Sequence, residues 1–365
     1  MPKKSNLKIA LVHDFLLKLG GAERVLKVFA DMFPDAPIYT LLYDPHTVGH
    51  VFMPERVHVS SLQKLPNFIR NRQKYLLPYM PKAIEKFDFS GFDIVLSSSS
   101  AFSHGIITNS DTKHICYCHS PMRYAWDWKN EYLKEQKVGK FKGAIISMLL
   151  NRIRQWDQVA SDRADEYIAN SVTVQRRIKK YWHKDSKVIY PPVDIERFKP
   201  TKKNAGYFLI VSTLTPYKKI DIAVQLFNKI GKQLVIIGEG PQKAYLQSIA
   251  GPNISFLGFK DDRETAEYYM NCRALIFPGE EDFGITPVEA MAAGKPVLAY
   301  GKGGVRESVI EGVTGEFFHE PTISSMEEGL ARLILNEDKY TMKAARERAE
   351  MFSKEKFIRE IEKLI

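Results

Sequence analysis

Short apolar runs of three to five residues alternate along the chain with longer amphipathic stretches. This is the pattern of parallel strands joined by helices. In the first half the strand-like runs are Lys8 to Val12, Asp93 to Leu96, His114 to Tyr117, Tyr167 to Ala169 and Lys187 to Tyr190. In the second half they are Tyr207 to Val211, Leu234 to Ile237, Ala274 to Phe277 and Pro296 to Ala299. Ile222, Leu226 and Ile230 recur at spacing four, which predicts a helix between two of these runs. Between the two series lies Tyr190-Pro191-Pro192-Val193-Asp194, followed by a polar stretch from Lys199 to Asn204. The paired prolines forbid a helix and favour an extended connector. A domain boundary is therefore expected near residue 191, giving an α/β domain over 1–190 and a second over 191–351. At 365 residues the chain is too long for one compact core, which agrees.

Composition narrows the class. Hydrophobic residues at 44% and charged residues at 26% exclude a disordered, collagenous or coiled-coil chain. No 18-residue run is both apolar and uncharged, and the first eight residues contain no apolar signal core. The expectation is a chain that neither spans a membrane nor is exported. Cys116, Cys118 and Cys272 form neither an even-numbered disulfide framework nor a four-ligand zinc pattern, so a reducing cytoplasm is expected.

Charge adds a question about partners. Lys plus Arg is 53 against 43 Asp plus Glu, a net charge of +10. Such an excess suits nucleic acid, an anionic membrane surface or phosphorylated small molecules. No helix-turn-helix or RNA-recognition signature is evident and the bases are not gathered in one tail, so no nucleic-acid partner is expected. Two stretches do mix bases with apolar residues. The first, Lys64 to Lys86, sets Lys64, Arg70, Arg72, Lys74, Lys82 and Lys86 among Leu65, Phe68, Ile69, Tyr75, Leu76 and Tyr79. The second, Lys137 to Arg154, sets Lys140, Lys142, Arg152 and Arg154 around Phe141, Ile145, Met148 and Leu149. Either suits an interfacial segment on an anionic leaflet, and either also suits helices with charged rims.

Three loops carry candidate chemistry. After Val12 come His13 and Asp14, then Gly20-Gly21-Ala22-Glu23 opening an amphipathic helix; a strand, a glycine pair and a helix start let an anion approach backbone N–H groups. This is not the three-glycine dinucleotide fingerprint, which argues against a nicotinamide oxidoreductase. After Val211 runs Ser212-Thr213-Leu214-Thr215-Pro216-Tyr217-Lys218-Lys219-Ile220-Asp221. Lys218 there can neutralise a phosphate, while Asp221 is expected to cap the next helix. The third loop follows Phe277: Glu281, Asp282, Phe283, Gly284, Ile285 and Thr286, then Pro287 and Glu289. Thr286 with Glu289 three residues on reads as a capping box with proline at the first helical position. The helix start also suits a diphosphate, and Glu281 and Glu289 on either side of it suit sugar hydroxyls.

Glu281 and Glu289, with Phe283-Gly284 and Glu289-Ala290-Met291-Ala292-Ala293-Gly294-Lys295-Pro296-Val297, resemble the paired-glutamate motif of retaining glycosyltransferases of family 4. The likeness extends to Gly20-Gly21, Ile115 to Pro121, Ala169-Asn170-Ser171, Tyr190 to Asp194, the Lys218 loop, Gly238-Glu239-Gly240-Pro241 and Gly303-Gly304, and so covers nearly the whole chain. The segment Tyr117 to Asp127 makes the chain most similar to mannosyltransferases that build surface polysaccharide or glycolipid from GDP-mannose. The resemblance implies the GT-B fold: two facing Rossmann-like domains with parallel sheets and an interdomain cleft, and a C-terminal helix over 352–365 that packs back onto the first domain. It implies that the donor diphosphate meets the backbone at Gly21 and Ala22 and the loop at Thr213, and that Lys218 neutralises the leaving phosphate. It further implies that Phe283, Gly284, Ile285 and Thr286 hold the donor through backbone amides, Glu281 contacts the sugar, Glu289 binds the ribose, and His119 contacts the transferred sugar near the reacting carbon. The acceptor, lipid-linked or saccharide, is expected along the first domain, against Arg123, Tyr124 and Trp126.

No metal and no cofactor are expected, since Lys218 and helix-start amides offer electrostatic stabilisation of the leaving group and no Asp-x-Asp occurs. The expected activity is hexosyl transfer with retention, by a cytoplasmic protein peripheral to the inner face of the cell membrane. Two positions depart from the family pattern: Thr213 stands where an arginine is common, and Lys219 where a glycine is usual. The alternatives are another GT-B activity, a sugar-nucleotide epimerase or a phosphorylase, and a non-catalytic glycan or nucleotide-sugar binder.

Overall fold

The structure, a computed structural model, describes residues 7–70, 72–127 and 140–365. The chain divides into two compact units, residues 1–190 with 360–365, and residues 191–359. Each is built on one sheet, and every pair of strands in both sheets is parallel.

The first sheet holds β1 (Ile9–Leu16), β2 (Ile38–Tyr43), β3 (Val57–Val59), β4 (Ile94–Ser99), β5 (Lys113–Cys118), β6 (Glu166–Ala169) and β7 (Lys187–Val188), in the order β3-β2-β1-β4-β5-β6-β7. The second holds β8 (Phe208–Val211), β9 (Leu234–Ile237), β10 (Ile254–Gly258), β11 (Ala274–Phe277), β12 (Val297–Tyr300) and β13 (Gly315–Phe318), in the order β10-β9-β8-β11-β12-β13. Central strands such as β4 and β11 are buried along their whole length, as expected where helices cover both faces. In the second unit the helix Ile220–Ile230 turns Ile222, Leu226 and Phe227 into the core, where the ring of Phe227 packs 5.3 Å from that of Phe208.

Strand order reverses once in each sheet, between β1 and β4 and between β8 and β11. Connections leave in opposite directions there, so the carboxyl ends flank a gap that ligands commonly use. The nine strand-like runs of the sequence correspond to nine of these strands. β2, β3, β10 and β13 are additional.

β1 runs four residues beyond the expected Val12, so His13 and Asp14 lie inside the strand rather than in the loop after it. Both are buried. Register explains how polar side chains are tolerated there: His13 pairs with Ser98 of β4 across the reversal. The Asp14 carboxylate accepts from the backbone N–H groups of Ser100, Ala101, Phe102 and Ser103 at 2.6–2.9 Å and from the Ser103 hydroxyl at 2.8 Å. One buried carboxylate thus organises the turn after β4.

Asp14→Ala strips an acceptor from five donors, each costly to leave unpaired in a buried site. The expected loss is about 3 kcal/mol or more of stability in the first unit, with Asp14→Asn intermediate. Thermal unfolding of both variants checks this, and an Asp14→Ala protein as stable as the parent contradicts it.

Candidate active site

In the first unit the candidate groups gather at the carboxyl ends of β1, β4 and β5. His119 directly follows β5, where its N–H donates to the Ser99 carbonyl at 2.8 Å and its carbonyl accepts from Asn170 Nδ2 at 3.0 Å. Asn170 is fixed in turn by the Ser171 hydroxyl at 3.0 Å, and that hydroxyl also caps the helix Val172–Trp182 by accepting from Val174 N–H. The Ala169-Asn170-Ser171 motif is thus the brace that holds His119. His119 Nε2 lies 2.8 Å from Ser98 Oγ, which lies 3.1 Å from His13 Nδ1. His13 Nε2 is 3.9 Å from Glu23 Oε1. Glu23 Oε2 accepts from Gly20 N–H at 2.9 Å, so its carboxylate sits at the start of the helix Gly21–Met32. Gly21 and Ala22 form the first turn of that helix, Gly21 exposed and Ala22 half-buried.

The ionisation of these groups follows from burial. Desolvation, then the neighbouring His13, push the His119 imidazole down to about 3. Burial tends to raise Glu23, but its contacts with His13 and the backbone N–H groups outweigh that and lower it. His114, on β5 and hydrogen-bonded to Ser97 at 2.8 Å, is pushed down to about 4, chiefly by burial.

Arg123, Tyr124 and Trp126 follow on the turn after His119. Trp126 is half-buried: its indole N–H donates to Asp157 Oδ2 at 2.8 Å and its ring stacks on Tyr181 at 4.6 Å. The Tyr124 hydroxyl donates to Met122 Sδ at 3.3 Å, and Arg123 is half-buried.

In the second unit the loops after β8 and β11 meet. The Lys218 ammonium forms an ion pair with the Glu281 carboxylate and lies 5.0 Å from the centre of the Tyr217 ring. Both loops are held by close backbone approaches that explain the glycine motifs. A Cβ on Gly240 would stand 2.4 Å from the Leu214 carbonyl, and one on Gly304 would stand 2.1 Å from the Asp282 carbonyl. Gly304 N–H also donates to the Glu281 carbonyl at 2.9 Å. Lys219 has φ +51, one of two left-handed residues other than glycine in the described chain. A glycine would relieve that conformation, which costs an L-residue about 1 kcal/mol. Thr213 is exposed.

Two expected caps are not there. The helix after β11 runs Ile285–Ala292 with Gly284 at its N-cap and no side-chain cap, so Thr286, Pro287 and Glu289 lie inside it and form no capping box. A left-handed Gly284, φ +86, starts the helix two residues earlier than the Thr-Pro pair suggests. Likewise the helix Ile220–Ile230 starts after Lys219 without a side-chain cap, and Asp221 lies in its first turn. Relieved of capping, the buried Glu289 carboxylate takes Arg197 on Oε1 and the Tyr269 hydroxyl on Oε2 at 2.9 Å. Arg197, which also reaches Asp262 at 2.9 Å, and Tyr269 were not legible as site residues; they lie 92 and 20 residues from Glu289. Phe283 is buried, while Ile285 and Thr286 are half-buried at the helix start. Among the described residues no cluster of three or more His, Cys, Asp or Glu side chains is arranged to hold a metal ion.

Residues 19–197 match the family model described as Glycosyltransferase Family 4, and residues 193–351 match the one described as Glycosyl transferases group 1. The chain belongs to the family 4 glycosyltransferases. It is 23% identical to the alpha-1,3/1,6-mannosyltransferase ALG2 of Dictyostelium discoideum, over 91% of this chain and 90% of that protein. It is 31% identical to a GDP-mannose-dependent alpha-mannosyltransferase of Mycobacterium tuberculosis, over 42% of this chain and 44% of that protein. The chain spans about half the length, or less, of several of the curated relatives it matches. Its fold is that of Anabaena HepE, solved in complex with UDP-glucose, with a TM-score of 0.70 at 19% identity over 98% of this chain and 99% of that one. The fold class expected of the glycosyltransferase, GT-B with two parallel-sheet domains, is the one observed.

The depressed histidines fix a pH dependence. His114 and His119 remain neutral in the folded chain, whereas the unfolded chain takes up their protons near pH 6.5. Below that pH the unfolded state binds more protons, so the stability present above it is lost as pH falls toward 4 and 3. At pH 5 each contributes a loss on the order of 2 kcal/mol. Calorimetry should find a melting temperature several degrees lower at pH 5 than at pH 7.5; equal values contradict the assignment.

Proposed function

We propose that this glycosyltransferase moves a mannosyl unit from GDP-mannose to a lipid-linked or saccharide acceptor, with retention of configuration and without a metal. The observation that carries the reading is the pairing of Lys218 with Glu281 where β8 and β11 reverse the strand order, beside the start of the helix Ile285–Ala292. A cation, a helix N-terminus and two carboxylates at one switch point are the groups a sugar diphosphate needs.

In this reaction the bond between the anomeric carbon and the diphosphate oxygen breaks, and the acceptor oxygen bonds to the same face while its proton passes to the departing phosphate. Lys218 exchanges its carboxylate partner for that phosphate and offsets the charge that develops on it. The freed Glu281 then faces the sugar. Glu289, oriented by Arg197 and Tyr269, accepts from the ribose hydroxyls. Mannose is supported by both relatives named as mannosyltransferases, and the guanine nucleotide by the one named as GDP-mannose-dependent. A UDP-sugar is the competing donor, because HepE was solved with UDP-glucose.

Thermal shift with GDP-mannose, UDP-glucose and ADP-glucose tests the donor. A ligand at a hundred times its Kd adds about 2.7 kcal/mol of stability. The expected result is a GDP-mannose shift that is lost in Lys218→Ala and Glu289→Ala and unaffected by EDTA. A shift with UDP-glucose alone moves the reading to glucosyl transfer. No shift with any of the three removes the catalytic reading in favour of a glycan binder.

The first basic stretch supports an anionic membrane as partner. The described residues between Ser61 and Lys86 form short helices and turns around a cavity of about 550 Å³, walled by Leu62, Leu65, Ile69 and Leu76 with Lys82 and Lys86 also lining it. Phe68, Tyr75 and Tyr79 are each more than 60% exposed. Of the second stretch, Lys137 lies outside the described residues, and the helix Lys140–Ala160 carries the remainder. No helix among the described residues is long and apolar enough to cross a membrane. Binding to anionic liposomes is expected to be strong at low salt, weakened by salt and weakened in Phe68→Ser/Tyr75→Ser. Absence of binding even at low salt removes the membrane from the proposal.

A further inference from the structure

Resting on the reading of His119 as the residue that meets the transferred sugar, we infer that Glu23, His13 and Ser98 are positioning residues: an ionic contact from Glu23 to His13, and hydrogen bonds from His13 through Ser98, fix the proton of His119 on Nε2 and leave Nδ1 as an acceptor for a sugar hydroxyl. The order of groups along the chain determines this. His13 Nε2 faces the Glu23 carboxylate and carries its proton there. With the ring proton on Nε2, the other ring nitrogen, Nδ1, is an acceptor. The Ser98 hydroxyl, 3.1 Å away, supplies the hydrogen. A hydroxyl has a single hydrogen, so Ser98 Oγ meets His119 Nε2 at 2.8 Å only as an acceptor, and Nε2 must be the protonated nitrogen.

The backbone makes the chain rigid. Parallel register sets His13 opposite Ser98, and Ser98 opposite Tyr117, two residues before His119. The carbonyl and N–H of His119 are both tied down. Among the described residues His119 Nδ1 makes no hydrogen bond, and the side chain is half-buried at the end of β5. A lone pair held in that position welcomes a hydroxyl and repels a carboxylate. The site so built favours a neutral hexose over a uronate.

Selective ¹⁵N labelling of histidine in the whole protein, with His119 assigned by difference from His119→Gln, reads the tautomer without requiring activity. The expected result is an unprotonated Nδ1 and a protonated Nε2 at neutral pH. The reverse pattern, or a doubly protonated ring, overturns the inference. Kinetics gives a second readout. Ser98→Ala should lower kcat about tenfold with little change in donor KM, Ser98→Thr should restore most of it, and in a His119→Ala background Ser98→Ala should have no further effect. Equal losses in the presence and absence of His119 reduce Ser98 to a merely structural residue. GDP-mannose should stabilise the protein in a melting experiment and GDP-mannuronate should not; equal stabilisation by both also overturns the inference. A protein that turns over no sugar nucleotide refutes the functional reading, while the tautomer measurement still decides the hydrogen-bonded chain.

Discussion

Parallel pairing is the constraint on which the rest of the molecule depends. When all strands of a sheet run one way, every loop that follows a strand emerges along one edge, and a single reversal of strand order parts two of those loops. Each unit uses that device once. In the first it sets β1 beside β4, which pairs His13 with Ser98 and brings Asp14 against the turn after β4. In the second it sets β8 beside β11, which brings the Lys218 and Glu281 loops together across 63 residues of sequence. Chemistry separated in the chain is gathered by topology rather than by any local motif.

Gathering charged and ionisable side chains at a partly buried edge has a price in desolvation, and the protein meets it by internal pairing. Asp14 is saturated by backbone N–H groups, Glu289 by Arg197 and Tyr269, and Lys218 and Glu281 by each other. These arrangements are not equivalent. The Asp14 bonds hold a turn and are permanent. The Lys218–Glu281 pair is half-buried and joins two groups that both suit a sugar diphosphate. Removing either partner breaks this pairing, so alanine at either position perturbs the unliganded protein as well as any complex. The Arg197–Glu289 contact differs again, since Arg197 fixes the orientation of a carboxylate that sits deeper in the fold.

Strand periodicity and the glycine and proline punctuation were readable from the chain, and so were both site loops, because these are local properties. β2 was readable in principle: Ile38-Tyr39-Thr40-Leu41-Leu42-Tyr43 is an apolar, aromatic run between Pro37 and Pro45. β3 is three residues at a sheet edge, and β13 carries Gly315 and Glu316, too little pattern to register. The extension of β1 through His13 and Asp14 was hidden for a different reason. A polar pair normally ends an apolar run, and only the partners on β4 make it compatible with a strand. The misread capping box at Thr286 has the same origin, since three residue types satisfied a local rule that a left-handed Gly284 overrides. Arg197 lay beyond local reading, because its partner is 92 residues away.

The two departures from the family pattern have different physical weights. Lys219 bears on conformation: its left-handed backbone is the place where a glycine would sit without strain, yet the lysine keeps the turn and the helix that follows it. What it changes is a modest local energy and an added positive charge one residue beyond Lys218. Thr213 bears on electrostatics, because a neutral, exposed side chain stands where the family pattern commonly carries a cation. A charge on an exposed side chain is screened by solvent and of small effect. Lys218, half-buried against Tyr217 and already desolvated, acts in a lower effective dielectric, where one cation achieves more than it would in water. On the proposed reading, this half-buried cation, rather than the count of cations around the loop, governs how strongly a leaving diphosphate is stabilised.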